Sequence, residues 1–343
     1  AFGHWFKYWA DRPVTFDGTS QNTAQAHWIG RALITDDEKL AVGILRMLDC
    51  GEREGFNLVN KKTIDGKEAV DMLYMILNKS RKEAQSILQE SGKFDNAEIL
   101  AILDKTHCEN PPEAFFITSD DMIGKSGVWA HFGSWDFERA LIYNTLKKEE
   151  YENDSGKGIR FLQERFNYSK EQAEKIHAEV QGVITSEQAN TWIAPWPGYA
   201  GFSGCGSPNN NVLQCGNGFM INLTSMEAWA QSPQGIIHPQ EISFMTDEGY
   251  FVKQYNESTY VISNGRYLGL ALIKKGESYD MVQMDADLTA SMFTRMFFQE
   301  GQDLKYFKQF ADETTVFGTR ILVWKVDWDA YLGRGNTTQP LDE

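Results

Sequence analysis

Two stretches of the chain concentrate side chains that could do chemistry. The first is Thr118-Ser119-Asp120-Asp121-Met122-Ile123-Gly124-Lys125. Ser119 can cap a helix whose first turn holds Asp120 and Asp121, where carboxylates are favoured by the helix dipole. Lys125 lies one turn below Asp121, so Asp121, Met122 and Lys125 share a face: a carboxylate, a polarisable thioether and an ammonium. Composition alone favours an ordinary capped helix with an i,i+4 ion pair. The second stretch is the aromatic opening Phe2-Gly3-His4-Trp5-Phe6, with Tyr8 and Trp9 following. On its own it reads as a hydrophobic staple onto a core. Elsewhere there is no Walker A loop, nucleophile elbow, zincin helix or dinucleotide fingerprint. The six histidines are scattered, as packed or surface residues are. Adjacent carboxylates such as Asp120 and Asp121 seldom face one bond from opposite sides, which weakens a glycosidase reading.

Four cysteines, Cys50, Cys108, Cys205 and Cys215, allow three pairings. The turn-rich Gly-Ser-Pro-Asn-Asn-Asn between Cys205 and Cys215 suits a local disulfide, which leaves Cys50 with Cys108. Free buried thiols are the alternative; a metal site is weak, since no CxxC or HxxxH spacing is present. Sequons of the form N-x-S/T begin at Asn78, Asn153, Asn167, Asn222, Asn256 and Asn336, against about two expected by chance from 18 Asn and 39 Ser plus Thr. Cysteines and sequons together point to an oxidising, extracytoplasmic location.

Those residues must be positioned by a folded chain. With 343 residues, 42% hydrophobic and 24% charged, it has the apolar mass for a core and the length for about two compact units. The net charge of −15 argues against nucleic acid, which needs a basic field. Leu268 to Ile273 is typical of the apolar runs, far short of the ~18 residues of a membrane helix. The aromatic first residues, with no initiator Met, read as the start of a piece cut from a longer protein.

The first half reads as helices. Thr35-Asp36-Asp37-Glu38 opens one, Thr63 to Leu77 carries an apolar face, and Ser80 with Glu83 is a capping box. Further helices are expected at Asn96 to Leu103, from Ser119, at Trp135 to Lys148 and at Ser169 to Val183. From Trp192 the texture turns to Gly, Asn and alternating apolar residues, and Asn264-Gly265 predicts a hairpin joining Tyr260-Val261-Ile262 to Leu268–Ile273. Asp285 to Phe298 returns to helix, and Arg320 to Val326 is a closing strand. The expectation is an α+β fold: a helical core over 1–191, a β-rich insert over 192–284, a return to the core over 285–332 and a frayed tail from 333 to 343.

Taken together, the two stretches resemble a family. Phe2-Gly3-His4-Trp5-Phe6 is similar to the end and continuation of the Trp-Trp-Asp-(Tyr/Phe)-Gly signature of the oligosaccharyltransferase catalytic subunit, of the archaeal single-subunit type. Tyr8-Trp9-Ala10-Asp11-Arg12 and the run from Asp17-Gly18-Thr19 to Arg31-Ala32-Leu33 resemble the family's segment just downstream of that signature. Asp120 to Lys125 falls where the family carries its second motif, an Asp/Lys or Met-containing helix. Ala1 stands where the family has its aspartate, and Asp121 to Lys125 is one residue longer than the commoner Asp-x-x-Lys, which favours Met122 and Lys125 over Asp121.

The resemblance implies an enzyme that moves a glycan from a dolichol-type lipid carrier to the amide nitrogen of Asn in N-x-S/T. This chain would be its C-terminal globular domain, outside the membrane on the extracytoplasmic side. Phe2, Gly3, His4, Asp121, Met122 and Lys125 would bind the acceptor peptide at its +2 Ser/Thr. The catalytic acids and the ligands of a divalent cation, Mn or Mg, would belong to the membrane half, together with the lipid-linked oligosaccharide, so this chain alone is expected to be inactive. The other reading, from the aromatic load, the sequons and Trp196-Pro197-Gly198-Tyr199, is a secreted carbohydrate-binding or adhesion module.

Overall fold

The computed structural model describes residues 7–8, 10–17, 19, 24–206, 211–233, 235–246, 249–257, 259–261 and 265–334. The fold is α+β. Its helices begin where local chemistry starts them. Asp37 caps Glu38–Gly51 by accepting from the N–H groups of Lys39 and Leu40. Ser80 and Glu83 close a capping box on Arg81–Glu90, and Asp95 with Glu98 does the same for Asn96–Thr106. Ser169 caps Lys170–Gly182, whose Ala173, His177 and Val180 are buried.

Among the described residues there are three sheets. One orders Phe115–Ser119, Arg320–Val326 and Phe307–Thr314, all antiparallel, so the closing strand sits in the middle. The second orders Tyr199–Cys205, Ser278–Asp285, Leu268–Lys275, Glu241–Thr246 and Gly249–Gln254, and the third is a meander of four short strands between Val212 and Ile237. The largest core joins the N-terminal helices to the first sheet through Ile44, Leu73, Phe293 and Trp324, and takes Ala271, Val282 and Met284 from the second. A second core lies between the second sheet and the meander, around Phe219, Phe244 and Leu270.

Of the hairpin expected between Tyr260-Val261-Ile262 and Leu268–Ile273, the described residues show an antiparallel bridge between Val261 and Tyr267 and a bond from the Leu268 N–H to Tyr260 O; residues 262–264 lie outside the described residues. The strand runs from Leu268 to Lys275. Its first six residues are all buried, so it needs partners on both edges: Glu241–Thr246 in parallel and Ser278–Asp285 across the Gly276-Glu277 turn. The helix expected from Asp285 to Phe298 is broken. Asp285 still belongs to a strand, Ala286–Leu288 is a 3₁₀ turn, and Thr294–Phe298 is a π-helix. Here tertiary bonds override periodicity: the Met292 N–H donates to Thr35 O, and Asp285 Oδ2 accepts from the Gly198 N–H.

Both disulfides form as expected, Cys50–Cys108 and Cys205–Cys215. By loop-closure entropy, their sequence separations of 58 and 10 contribute roughly 4 and 3 kcal/mol. The sequons have local structural roles too. Asn78, Asn153 and Asn167 stand at helix C-caps, Asn167 in the left-handed region at φ 56°, and Asn222 Oδ1 accepts from the Thr224 and Ser225 N–H groups.

Candidate functional site

The strand Phe115–Ser119 delivers the Asp120–Lys125 segment to the rim of the three-stranded sheet. Thr118 is buried and its Oγ1 accepts from Trp324 Nε1 at 3.3 Å, while Ser119 pairs with Ile321 across the ladder. The helix expected to start at Ser119 does not. Asp120–Met122 is a single 3₁₀ turn, and the α-helix begins only at Ser126, running to Gly133. Side-chain bonds explain the difference. Ser119 Oγ donates to Asp121 Oδ1 at 2.5 Å instead of capping, and Asp120 Oδ2 accepts from the Arg320 N–H at 2.6 Å. These bonds hold the first turn to the neighbouring strand rather than to a continuing helix.

The expected pairing of Asp121 with Lys125 is present, Nζ to Oδ2 at 2.5 Å. Burial pushes the Asp121 carboxyl up, but hydrogen bonds from Lys125 and Ser119 outweigh it and hold the group below the usual carboxylate range. Asp121 is therefore a charged anchor rather than a proton shuttle. Met122 is half-buried against the main core, and its carbonyl accepts from Trp129 Nε1 at 2.8 Å. Lys125 is exposed at the rim. The segment thus offers an ammonium with a fixed counter-ion, and three residues before it in sequence a thioether packed on the core. Among the described residues, no group of three or more His, Cys, Asp or Glu is placed to hold a metal ion.

A helix crossing fixes the orientation of this turn. Ser126–Gly133 packs across Ala24–Ile34, and Gly30 and Gly133 meet backbone to backbone. A Cβ on Gly30 would lie 2.4 Å from Trp129 O, and one on Gly133 would lie 2.3 Å from the Gly30 carbonyl carbon. His27 reinforces the crossing: Nδ1 donates to Phe132 O at 2.8 Å and Nε2 accepts from the Tyr74 hydroxyl at 2.6 Å. Trp129 then packs on Phe293, just before the π-helical segment, ring centres 5.2 Å apart.

Of the six expected peptide-binding residues, the structure pairs Asp121 with Lys125, and Asp121 and Met122 share the 3₁₀ turn. Phe2, Gly3 and His4 lie outside the described residues. Sequence reasoning missed Arg320, which grips the hairpin behind the turn by donating to both Asp312 carboxylate oxygens at 3.0 and 2.7 Å and to Glu300 at 2.9 Å. It also missed Trp129 and the Gly30–Gly133 contact; no local pattern reports partners a hundred or two hundred residues away. The Trp196–Tyr199 stretch is used in packing. Trp196 stacks on His131 at 3.7 Å, and the Tyr199 hydroxyl bonds to Thr294 Oγ1 at 2.8 Å.

No protein-family model matches the chain. Curated relatives do. The chain is 42% identical over 139 residues to the dolichyl-phosphooligosaccharide-protein glycotransferase of Methanococcus voltae, and 37% identical over 139 residues to that of Methanocaldococcus jannaschii. Over those 139 residues the chain is similar to both archaeal glycotransferases. The match takes in 39% of this chain and 15% of each relative, so the chain spans only a small part of their length. Among solved structures, the C-terminal domain of C. jejuni PglB aligns over 95% of this chain and 90% of that one, with a TM-score of 0.37 and 11% identity. Superposition that loose places no residue of the site. Among the described residues, no helix is long and apolar enough to cross a membrane.

Proposed function

We propose that this chain is the C-terminal globular domain of an oligosaccharyltransferase, which transfers a glycan from a lipid-linked donor to Asn in N-x-S/T, and that its Asp121–Lys125 turn helps to hold the +2 Ser/Thr. The observation that carries the reading is the 42% identity to the Methanococcus voltae glycotransferase. The chemistry of the turn suits the task. The Lys125 ammonium can donate to the hydroxyl oxygen of Ser or Thr while Asp121 holds it in place. The Met122 thioether can take the threonine methyl. A pocket built to bond a hydroxyl rejects a residue without one, because its own polar groups are left unpaired. Phe2, Gly3 and His4 would supply the facing wall. The acids that carry out transfer, and the Mn or Mg ion that would polarise the reacting amide, are assigned to the part of the enzyme outside this chain. The two disulfides agree with an extracytoplasmic position, since such bonds persist in oxidising compartments.

The test is Lys125→Ala in the full-length enzyme, with transfer to N-x-S and N-x-T peptides measured at steady state. A hydrogen bond to a charged donor contributes about 1.5–3 kcal/mol, so kcat/KM should fall roughly tenfold or more. Lys125→Arg should restore part of the loss. Unchanged kinetics for Lys125→Ala would remove the turn from the acceptor site.

A further inference from the structure

The strands Phe307–Thr314 and Arg320–Val326 are joined by a tip that the transfer reading does not use. It carries the two most exposed large apolar side chains among the described residues, Val316 at 94% and Phe317 at 92%. The segment from Thr314 to Thr319 holds no charge, in a chain that is 24% charged; Glu313 and Arg320 stop at its borders. The tip is also internally bonded. The Thr315 N–H donates to Thr319 O at 2.9 Å, the Gly318 N–H to Thr315 O at 2.9 Å, and the Thr319 N–H to Thr315 Oγ1 at 3.1 Å. Gly318 sits at φ 81°, which closes the turn without a side-chain penalty.

We infer that this hairpin tip dips into the interfacial layer of a lipid bilayer, with Val316 and Phe317 as the inserting side chains. Three properties select lipid over other occupants. A charge-free tip enters a low-dielectric layer without desolvating an ion, and three of its backbone N–H groups already have partners within the turn. Two projecting side chains cannot by themselves build the ~1,200 Å² of a specific protein interface, yet they suffice as a shallow anchor. The net charge of −15 opposes anionic lipid, so the fitting surface is zwitterionic. The tip ends one residue before Arg320, whose N–H holds Asp120. Insertion would therefore set the Asp121–Lys125 turn close to the bilayer plane; that last consequence rests on the proposed function, whereas the insertion itself does not.

The test places an environment-sensitive fluorophore at Phe317→Cys in this chain, whose described cysteines are all paired, and adds phosphatidylcholine vesicles. A control label goes at Lys170→Cys, where the native side chain is 77% exposed. The expected result is a blue-shifted, brighter emission at position 317 and no change at 170. Full burial of a Val or Phe side chain corresponds to about 1.5–3 kcal/mol, so the V316D/F317D double variant should bind vesicles at least roughly tenfold more weakly. Its thermal midpoint should be unchanged, since the native side chains are solvent-exposed. A silent label at 317, an equal shift at 170, or a shift that tracks protein concentration without lipid would each overturn the proposal, the last by assigning the tip to a second copy. Because no catalysis is read, vesicle insertion with no glycan transfer by the full-length enzyme would uphold the tip and remove the transferase reading.

Discussion

Gly133→Ala is expected to destabilise the protein by about 3 kcal/mol or more, whereas Gly127→Ala in the same helix should be neutral or stabilising. The added methyl at 133 would lie 2.3 Å from the Gly30 carbonyl carbon and 2.4 Å from its oxygen. Backbone cannot rotate away as a long side chain can, so the Ala24–Ile34 and Ser126–Gly133 helices must separate. Around Gly127 nothing lies within 4 Å of the added atom, and alanine there gains helix propensity. Gly30→Ala should match Gly133→Ala, because the two sites face each other. Thermal unfolding of the three variants measures the difference, with midpoints for the 30 and 133 variants lower by roughly 4 °C. Equal midpoints for Gly127→Ala and Gly133→Ala would contradict the close crossing. Since Ser126 directly follows Lys125, the same shift would misplace the Asp121–Lys125 turn.

Asp49→Asn is expected to stabilise the protein at pH 8 and to leave it unchanged at pH 4. Asp49 is partly buried near the C-terminal end of the Glu38–Gly51 helix, and burial raises its carboxyl to about 7. A carboxyl with a folded pKa above its unfolded value of 3.8 binds more protons folded than unfolded between those values. Stability therefore falls as pH rises through that window, and the full penalty, about 2–4 kcal/mol, is present above pH 7. Asparagine removes it. Two histidines act in the opposite sense. Burial lowers His27 to about 4, beside Arg31, and His107 to about 4, beside Arg46 and Arg81. Each is held neutral in the fold, so the unfolded chain takes up protons first as pH falls from 6.5 to 4, and each costs about 3 kcal/mol by the lower limit. In the native chain Asp49 offsets part of that loss; the Asp49→Asn variant should show a steeper fall in stability below pH 6.5. Denaturant titrations at pH 8, 6 and 4 measure both effects, and a variant with the native slope would contradict the assignment of Asp49.

Much of the fold was legible because its cues are local. Asp37, Ser80 and Ser169 announce helix starts within three residues of where they bond. The turn-rich loop between Cys205 and Cys215 announces its disulfide. What was illegible depends on distant partners. The segment after Ser119 has the composition of a helix start, yet Arg320, two hundred residues on, takes Asp120 and leaves only one 3₁₀ turn. Leu268–Lys275 was readable as a strand, while its neighbours were decided by burial on both faces. Of the candidate site, the Asp121–Lys125 pair came from i,i+4 spacing. The glycine crossing that aims it carries no signal in either helix alone.

The role proposed for the Asp121–Lys125 turn is to read the residue two places after the acceptor Asn. The most direct measurement is the ratio of kcat/KM for paired N-x-T and N-x-S peptides in the full-length enzyme, native and Met122→Ala. If the thioether takes the threonine methyl, removing it forfeits about 0.8 kcal/mol for one buried carbon, and the preference for N-x-T should fall about fourfold while kcat/KM for N-x-S changes little. A ratio unaltered by the substitution would contradict that role.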